Sequence, residues 1–411
     1  MRLVPGALAC LLALTACGQV DARSTPTRTA TTPSATPVTP SATPVTTPAT
    51  PVKGSDDVNG DGFADLAMFD GSPDDPRFVV VYGSAHGLAP ATATVVTPWN
   101  IIYWFPEAVP TLDLDADGYA DIPLSGGTPA RPYISWGGKR GAGKPVPMWV
   151  PDGTDPERAN VTPGDFNADG VGDVAMSATA PNSDKGRLAV LYGPFTRDGR
   201  PARHTVQPSP TGAEFWRMTA DAKGHDLLVH RADDGEQEAP YLLKGGKDGL
   251  ATQGTLLNEG LAVAFGDFDG DGSREPVVAD DGSRNDEPGY ETEEPEVDGV
   301  LTVYGQDRQT VRTGMRGRLA AGDLDGDGRD DLAFGGYAWW DYKARPPRVL
   351  WGGRNGLRQG EDLTALGPSS PLAAGDYNGD GRDELVLSTA KQGVFQVSDG
   401  RKLLNSFELP S

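Results

Sequence analysis

The sequence predicts an all-β fold, a seven-bladed β-propeller, and three observations carry that prediction. A short acidic loop recurs along the chain, and the carboxylate that closes it falls at Asp65, Asp121, Asp173, Asp226, Glu275, Asp331 and Glu384, at intervals of 56, 52, 53, 49, 56 and 53 residues. An apolar run ending in an aromatic–Gly turn follows in the same period: Tyr82-Gly83, Trp136-Gly137, Tyr192-Gly193, Tyr304-Gly305 and Trp351-Gly352, blurred to Lys244-Gly245 in the fourth repeat and Ser398-Asp399 in the seventh. Between the markers lie short β-branched runs bounded by Gly and Asp, with no apolar stretch of helical period long enough to form a core helix. Two markers sharing a period of about 50 residues identify a repeat with room for four short strands, and seven such units bury radially what one alone could not.

The chain reaches these repeats through two segments of different composition. Arg2 precedes an apolar stretch from Leu3 to Ala16, which at 14 residues is too short to span a bilayer and reads as a signal h-region. Its end, Leu14-Thr-Ala-Cys17-Gly18, resembles the lipobox of bacterial lipoproteins, in which the cysteine is acylated and becomes the first mature residue. An ordinary secretory signal with an incidental cysteine is the alternative. Cys10 and Cys17 are the only cysteines, so loss of residues 1–16 leaves one thiol and no internal disulfide. Residues 17–51 are then an acylated cysteine and a tether. From Ser24 to Pro51 the chain is nearly all Thr, Pro, Ala, Ser and Val, which cannot build a core, and in extended polyproline geometry it reaches on the order of 85 Å. Residues 52–411 hold the repeats.

Within a repeat the strands follow from the pattern. In the sixth they are expected at Arg318 to Gly322, Leu332 to Gly335, Arg348 to Trp351 and roughly Glu361 to Leu366. The seventh ends in Leu403-Leu404-Asn-Ser-Phe407, whereas the first offers only Val52 to Ser55 ahead of its loop, so the sequence leaves open how the ring closes.

The loop itself has the chemistry of a calcium site. Oxygen ligands one residue apart converge on a hard cation only where the backbone curls tightly, and glycine at position 6 supplies the turn. Six repeats carry it, with side chains at positions 1, 3, 5 and 9 and the carbonyl of position 7: Asp57, Asn59, Asp61, Phe63 and Asp65; Asp113, Asp115, Asp117, Tyr119 and Asp121; Asp165, Asn167, Asp169, Val171 and Asp173; Asp267, Asp269, Asp271, Ser273 and Glu275; Asp323, Asp325, Asp327, Arg329 and Asp331; Asp376, Asn378, Asp380, Arg382 and Glu384. An EF-hand begins the same way but needs Glu at position 12 on an exiting helix. Position 12 here is Met68, Leu124, Met176, Val278, Phe334 and Leu387, so a strand should follow instead.

These repeats resemble FG-GAP (VCBS-type) repeats, the blades of the integrin α-subunit propeller and of many bacterial surface proteins, in which such a loop joins the first two strands of a blade. Fragments of the family's name motif survive as Phe265-Gly266 and Thr179-Ala180-Pro181. The resemblance covers about residues 52 to 411 and implies calcium at about six sites and a binding or adhesion role. The fourth repeat departs from it: around Thr219 to Asp226 the loop has lost about three residues and places Lys223 where a carboxylate should be, so this blade is expected to lack calcium.

Charge agrees with metal loops and disfavours nucleic acid. The chain holds 36 Lys and Arg against 58 Asp and Glu, net −22, and the six loops alone contribute 21 carboxylates. Six Ca²⁺ would bring the mature chain to about −11. No basic stripe is present for a polyanion.

Partner contacts are expected on the face opposite the calcium loops, because successive turns of a meander alternate between the two ends of a blade. The second-to-third-strand loops lie there: Asp280 to Gly299, with nine acidic residues and Arg284, and the segment holding Tyr337, Trp339, Trp340 and Tyr342. The connection bearing Trp99, Tyr103, Trp104 and Phe105 reaches the same face. Aromatics beside charges mark interfaces or sugar platforms, and packing between blades is the competing explanation. His86, His204, His225 and His230 fall in no catalytic motif and are expected to be solvent-facing. The expectation is a lipid-anchored, extracytoplasmic, monomeric calcium propeller that binds a protein or glycan, touches the membrane through its anchor only, and is not an enzyme; a carbohydrate-active enzyme on the same scaffold and a structural envelope component are the alternatives.

Overall fold

A computed structural model describes residues 56–409, except 73–74, 97–105, 214–216, 232–236, 285–296, 298, 307, 337–344 and 392. These residues form seven antiparallel sheets, arranged as a seven-bladed β-propeller. The third blade shows the plan: Val161–Gly164 innermost, then Asp173–Ser177, Arg187–Tyr192 and Arg203–Pro208 at the rim, each paired with the next. The three inner strands are largely buried and the rim strand is not. Asp173–Ser177 is wholly buried, while Arg203–Pro208 is exposed except at one position.

The strands form because alternate side chains enter two different cores. In Asp75–Tyr82 of the first blade, Val79 and Val81 pack against the seventh blade, whereas Phe78 and Val80 pack against the second. Seven hydrophobic clusters result, one at each junction between neighbouring blades. No blade has a core of its own to keep, so the ring is the folding unit.

Closure needs no special device. Ala64, Leu66, Met68, Val79, Val81 and Leu88 of the first blade interlock with Leu372, Tyr377, Val386, Phe395, Val397 and Phe407 of the seventh, as at other junctions. The seventh blade owns four strands, Ser369–Gly375, Glu384–Thr389, Val394–Ser398 and Leu403–Glu408. In the first blade the inner edge of Leu66–Ser72 is paired by Glu107–Ala108, from the segment leading to the second blade, with Met68 opposite Ala108 and Phe69 opposite Glu107. The candidate strand Val52 to Ser55 lies outside the described residues.

Among the described residues, two blades fall short of four strands. The sixth has Arg318–Gly322, Asp331–Gly335 and Arg348–Leu350, but the strand expected from Glu361 to Leu366 shrinks to a bridge between Arg348 and Asp362 followed by a 3-10 turn at Thr364–Leu366. Leu363 and Leu366 still bury in the junction with the seventh blade, so this segment fills the core without extending the ladder. The second blade has Ile122–Leu124, Tyr133–Ser135 and Val146–Pro147, and its inner position is reduced to a bridge between Leu112 and Asp121.

Candidate metal loops and the junctions they hold

Each of the six loops folds the same way around its own carboxylates. The position-1 carboxylate accepts the N–H of position 6: Gly62 to Asp57 at 2.8 Å, Gly118 to Asp113 at 2.8 Å, Gly170 to Asp165 at 3.0 Å, Gly272 to Asp267 at 3.1 Å, Gly328 to Asp323 at 2.9 Å and Gly381 to Asp376 at 2.9 Å. The position-5 carboxylate accepts the N–H of position 7 in all six, as with Arg329 to Asp327 at 3.1 Å. Position 6 has φ between +82° and +92° throughout, a conformation that side chains resist and glycine takes freely.

The position-9 carboxylate links the two sequence markers. Asp121 accepts the N–H of Leu114 at 2.9 Å with one oxygen and that of Gly137 at 2.8 Å with the other. Asp65 does the same with Val58 and Gly83, Asp173 with Phe166 and Gly193, and Asp331 with Leu324 and Gly352. The glycine of the aromatic–Gly turn thus reaches back to the acidic loop, which puts both turns on one face of the blade. Position 12 is fully buried in a strand in every case, as expected.

Burial of the position-9 carboxylates raises their pKa, only partly offset by the backbone N–H groups they accept, two for each aspartate and one each for Glu275 and Glu384. It pushes Asp65, Asp331 and Glu384 up to about 7 and Asp121, Asp173 and Glu275 to about 8. Burial also raises Asp113, Asp165 and Asp267 at position 1, while the Ser273 N–H holds the exposed Asp271 below the usual range. Negative charge is unfavourable in these loops unless a cation meets it.

Four loops bring three acidic ligand atoms within 4.8 Å of one another: Asp113, Asp115 and Asp121; Asp267, Asp269 and Asp271; Asp323, Asp325 and Asp331; and Asp376, Asp380 and Glu384. These groups can hold a metal ion. One oxygen in them, Asp325 Oδ1, is buried with no hydrogen-bond partner, a cost that a cation at the loop would relieve.

The fourth repeat keeps the turn and loses the loop. Asp226 still accepts the Gly245 N–H, at 3.1 Å, but its other oxygen takes the Lys244 ammonium at 2.6 Å. Lys244 stands where five of the repeats have an aromatic residue, and it brings its own positive charge to the carboxylate.

Sequence reasoning missed how the loops join neighbouring blades. The position-8 N–H of one blade donates to the position-1 carbonyl of the blade before it: Ala120 to Asp57 at 2.8 Å, Gly172 to Asp113 at 2.9 Å, Asp330 to Asp267 at 2.9 Å, Asp383 to Asp323 at 2.9 Å and Ala64 to Asp376 at 3.2 Å. His225 makes the third-to-fourth link with its imidazole Nδ1, 2.7 Å from the Asp165 carbonyl. Where the fourth loop is lost, the side chain of Arg274 takes over, 2.7 Å from Asp221 and 2.6 Å from Asp330. A second set runs from the third-to-fourth-strand turn to position 2 of the preceding loop, including Gly138 to Val58 and, across the ring closure, Ser84 to Tyr377. The signal was present in the recurrence of Gly-x-x-Gly just after the third-strand turn, at Gly138 to Gly141, Gly246 to Gly249 and Gly353 to Gly356.

Two of the histidines are not solvent-facing. His230 is fully buried in Leu227–His230, with Nε2 3.0 Å from the Gly260 carbonyl, and burial lowers its pKa to about 4. His225 is bound at the third loop, whereas His86 and the rim residue His204, which lies against Trp149, are exposed. The aromatic residues proposed for ligand contact, Trp99, Tyr103, Trp104, Phe105, Tyr337, Trp339, Trp340 and Tyr342, lie outside the described residues, as does Cys17. No protein-family model matches the chain, and no curated protein matches it in sequence.

Proposed function

We propose that the chain is a calcium-binding propeller of the FG-GAP (VCBS) type, held outside the cytoplasm by a lipid on Cys17, that serves as a ligand-binding or adhesion module. The observation that carries the metal reading is one loop geometry repeated six times, with three acidic ligand atoms gathered in four of the loops and one oxygen there, Asp325 Oδ1, left without a partner. The donors are hard oxygens, carboxylate and amide, which suit Ca²⁺ and not softer metals. Positions 1, 3, 5 and 9 would hold the ion with the carbonyl of position 7. A bound Ca²⁺ supplies two positive charges that offset the repulsion among three or four acids.

Equilibrium dialysis of the mature protein tests this reading. About six calcium ions per chain are expected, with dissociation constants of about 10⁻⁴ to 10⁻³ M as in other extracellular modules; no bound calcium at 10 mM would overturn it.

The module reading draws support from the fold, since closed propellers present two faces of variable loops on a rigid ring. The face opposite the loops is the proposed contact surface, through Trp99, Trp104, Tyr337, Trp339, Trp340 and Tyr342. A glycan array and a pull-down from cell-wall extract separate sugar from protein ligands, and full binding by a Trp339→Ala, Trp340→Ala variant would remove this face from the account.

A further inference from the structure

The six loops divide into two classes by the residue at position 3, and the neighbouring blade divides with them. Loops 2, 5 and 6 have aspartate there, and each receives an arginine from the following blade. Arg197 Nε lies 2.6 Å from Asp115 in loop 2, and the same guanidinium reaches Asp117. Arg329 lies over Gly270 in loop 5 and donates to the Asp269 carbonyl at 3.2 Å, while its Nη1 pairs with Asp327 of its own loop at 3.0 Å, so its charge bridges loops 5 and 6. Arg401 binds Asp325 in loop 6 at 3.2 Å, and Arg382 lies over Gly326 of that loop. Loops 1, 3 and 7 have asparagine, and the following blade lays an uncharged or weakly basic ring there instead: Tyr119 over Gly60, His225 on the Asp165 carbonyl and Phe63 over Gly379.

The arginines of loops 2 and 6 share a further feature. Arg197 lies over the Trp136 ring with its centre 4.9 Å from the centroid, and Arg401 over Trp351 at 4.2 Å. In both, the tryptophan belongs to the blade that owns the loop and the arginine to the next one, so the guanidinium is gripped from two sides across the junction. Trp136 Nε1 donates to the Arg197 carbonyl at 3.2 Å, which fixes the turn as well.

We propose that these arginines are built-in cations: in loops 2, 5 and 6 they clasp adjacent blades without metal, whereas loops 1, 3 and 7 rely on calcium to hold theirs. The inference rests on the calcium reading above and divides its six sites into two classes. An asparagine loop keeps three acids and an aspartate loop four, so adding one arginine brings loops 2 and 6 to the net charge of loops 1, 3 and 7. The fourth blade follows the same logic to its end, with no metal loop and Arg274 joining Asp221 to Asp330 across three blades. The first blade is flanked by loops 7 and 1, both of the asparagine class, so neither of its loop junctions carries such an arginine beside the apolar packing and backbone hydrogen bonds common to all junctions.

Hydrogen exchange of the whole mature chain, read peptide by peptide in calcium and in excess chelator, tests the division. Chelation should speed exchange by roughly tenfold or more around loops 1, 3 and 7 and across the first blade, and much less around loops 2, 5 and 6. In an Arg197→Gln variant, loop 2 should join the calcium-dependent class. Asp115→Asn with Arg197→Gln, which rebuilds the asparagine type of loop, covers the case in which the single variant does not fold, and it should behave as loop 1 does. Equal loss of protection at all six loops, or an Arg197→Gln loop 2 that ignores chelator, would overturn the proposal while leaving calcium binding intact. No bound calcium would instead remove the reading beneath it.

Discussion

Asp331 shows how much one carboxylate does in this molecule. Its two oxygens accept the N–H groups of Leu324 and Gly352, so it closes its own loop and fastens the following turn. Replacing it with alanine strands two buried donors at a cost of roughly 2–6 kcal/mol. Urea unfolding of Asp331→Ala in chelator, where metal plays no part, should show that loss; a change under 1 kcal/mol would mean the bonds contribute little. His230 makes a separate prediction. Buried and neutral, with burial and then Arg217 pushing its pKa to about 4, it binds a proton more readily in the unfolded chain. Its contribution is therefore complete above about pH 6.5 and is lost as pH falls toward 4. In His230→Leu the stability should fall less steeply between pH 6.5 and 4 than in the native chain, and parallel profiles would contradict this.

At the scale of the strand, the loop is useful because an apolar run follows it. Phe334 sits at position 12 of the sixth loop and is fully buried in the junction with the fifth blade. Phe334→Ala should cost about 3–5 kcal/mol by chemical denaturation, whether or not calcium is present. That position was legible in the sequence because an apolar residue replaces the acid an EF-hand requires. The first three strands of the sixth repeat were legible from the repeat register, which places short apolar runs between the loop and the glycines that bound them. The fourth was not, because Leu363 and Leu366 satisfy the core from a 3-10 turn as well as from a strand, and apolar spacing cannot tell the two apart. The inner strand of the first blade was missed because Glu107–Ala108 comes from later in the chain, and local pattern carries no such long-range pairing.

For the whole molecule, the repeat period in the sequence predicted the ring, while the order of its joints needed coordinates. A period reports similarity between blades and says nothing of which backbone groups meet across a junction. The sequence marks position 1 as a metal ligand through its side chain, yet its carbonyl is also what the next blade binds, as in Ala120 to Asp57 and Asp383 to Asp323. Arg197 and Arg401 lie 82 and 76 residues beyond the aspartates they bind, Asp115 and Asp325, so no local motif could have revealed them. The loops are accordingly fasteners between blades as much as within them. Were calcium to fill them at 10 to 100 times its dissociation constant, each site would add about 1.4–2.7 kcal/mol to the folded state. Acidic self-repulsion adds to the contrast between filled and empty loops.

Whether calcium holds the ring together through these loops is decided by thermal unfolding of the mature protein in 10 mM calcium and in excess chelator. A clearly lower melting temperature is expected in chelator, one that returns when calcium is restored and does not return with magnesium, whose reluctance to dehydrate and demand for octahedral geometry suit these loops poorly. A melting temperature indifferent to chelator would contradict it.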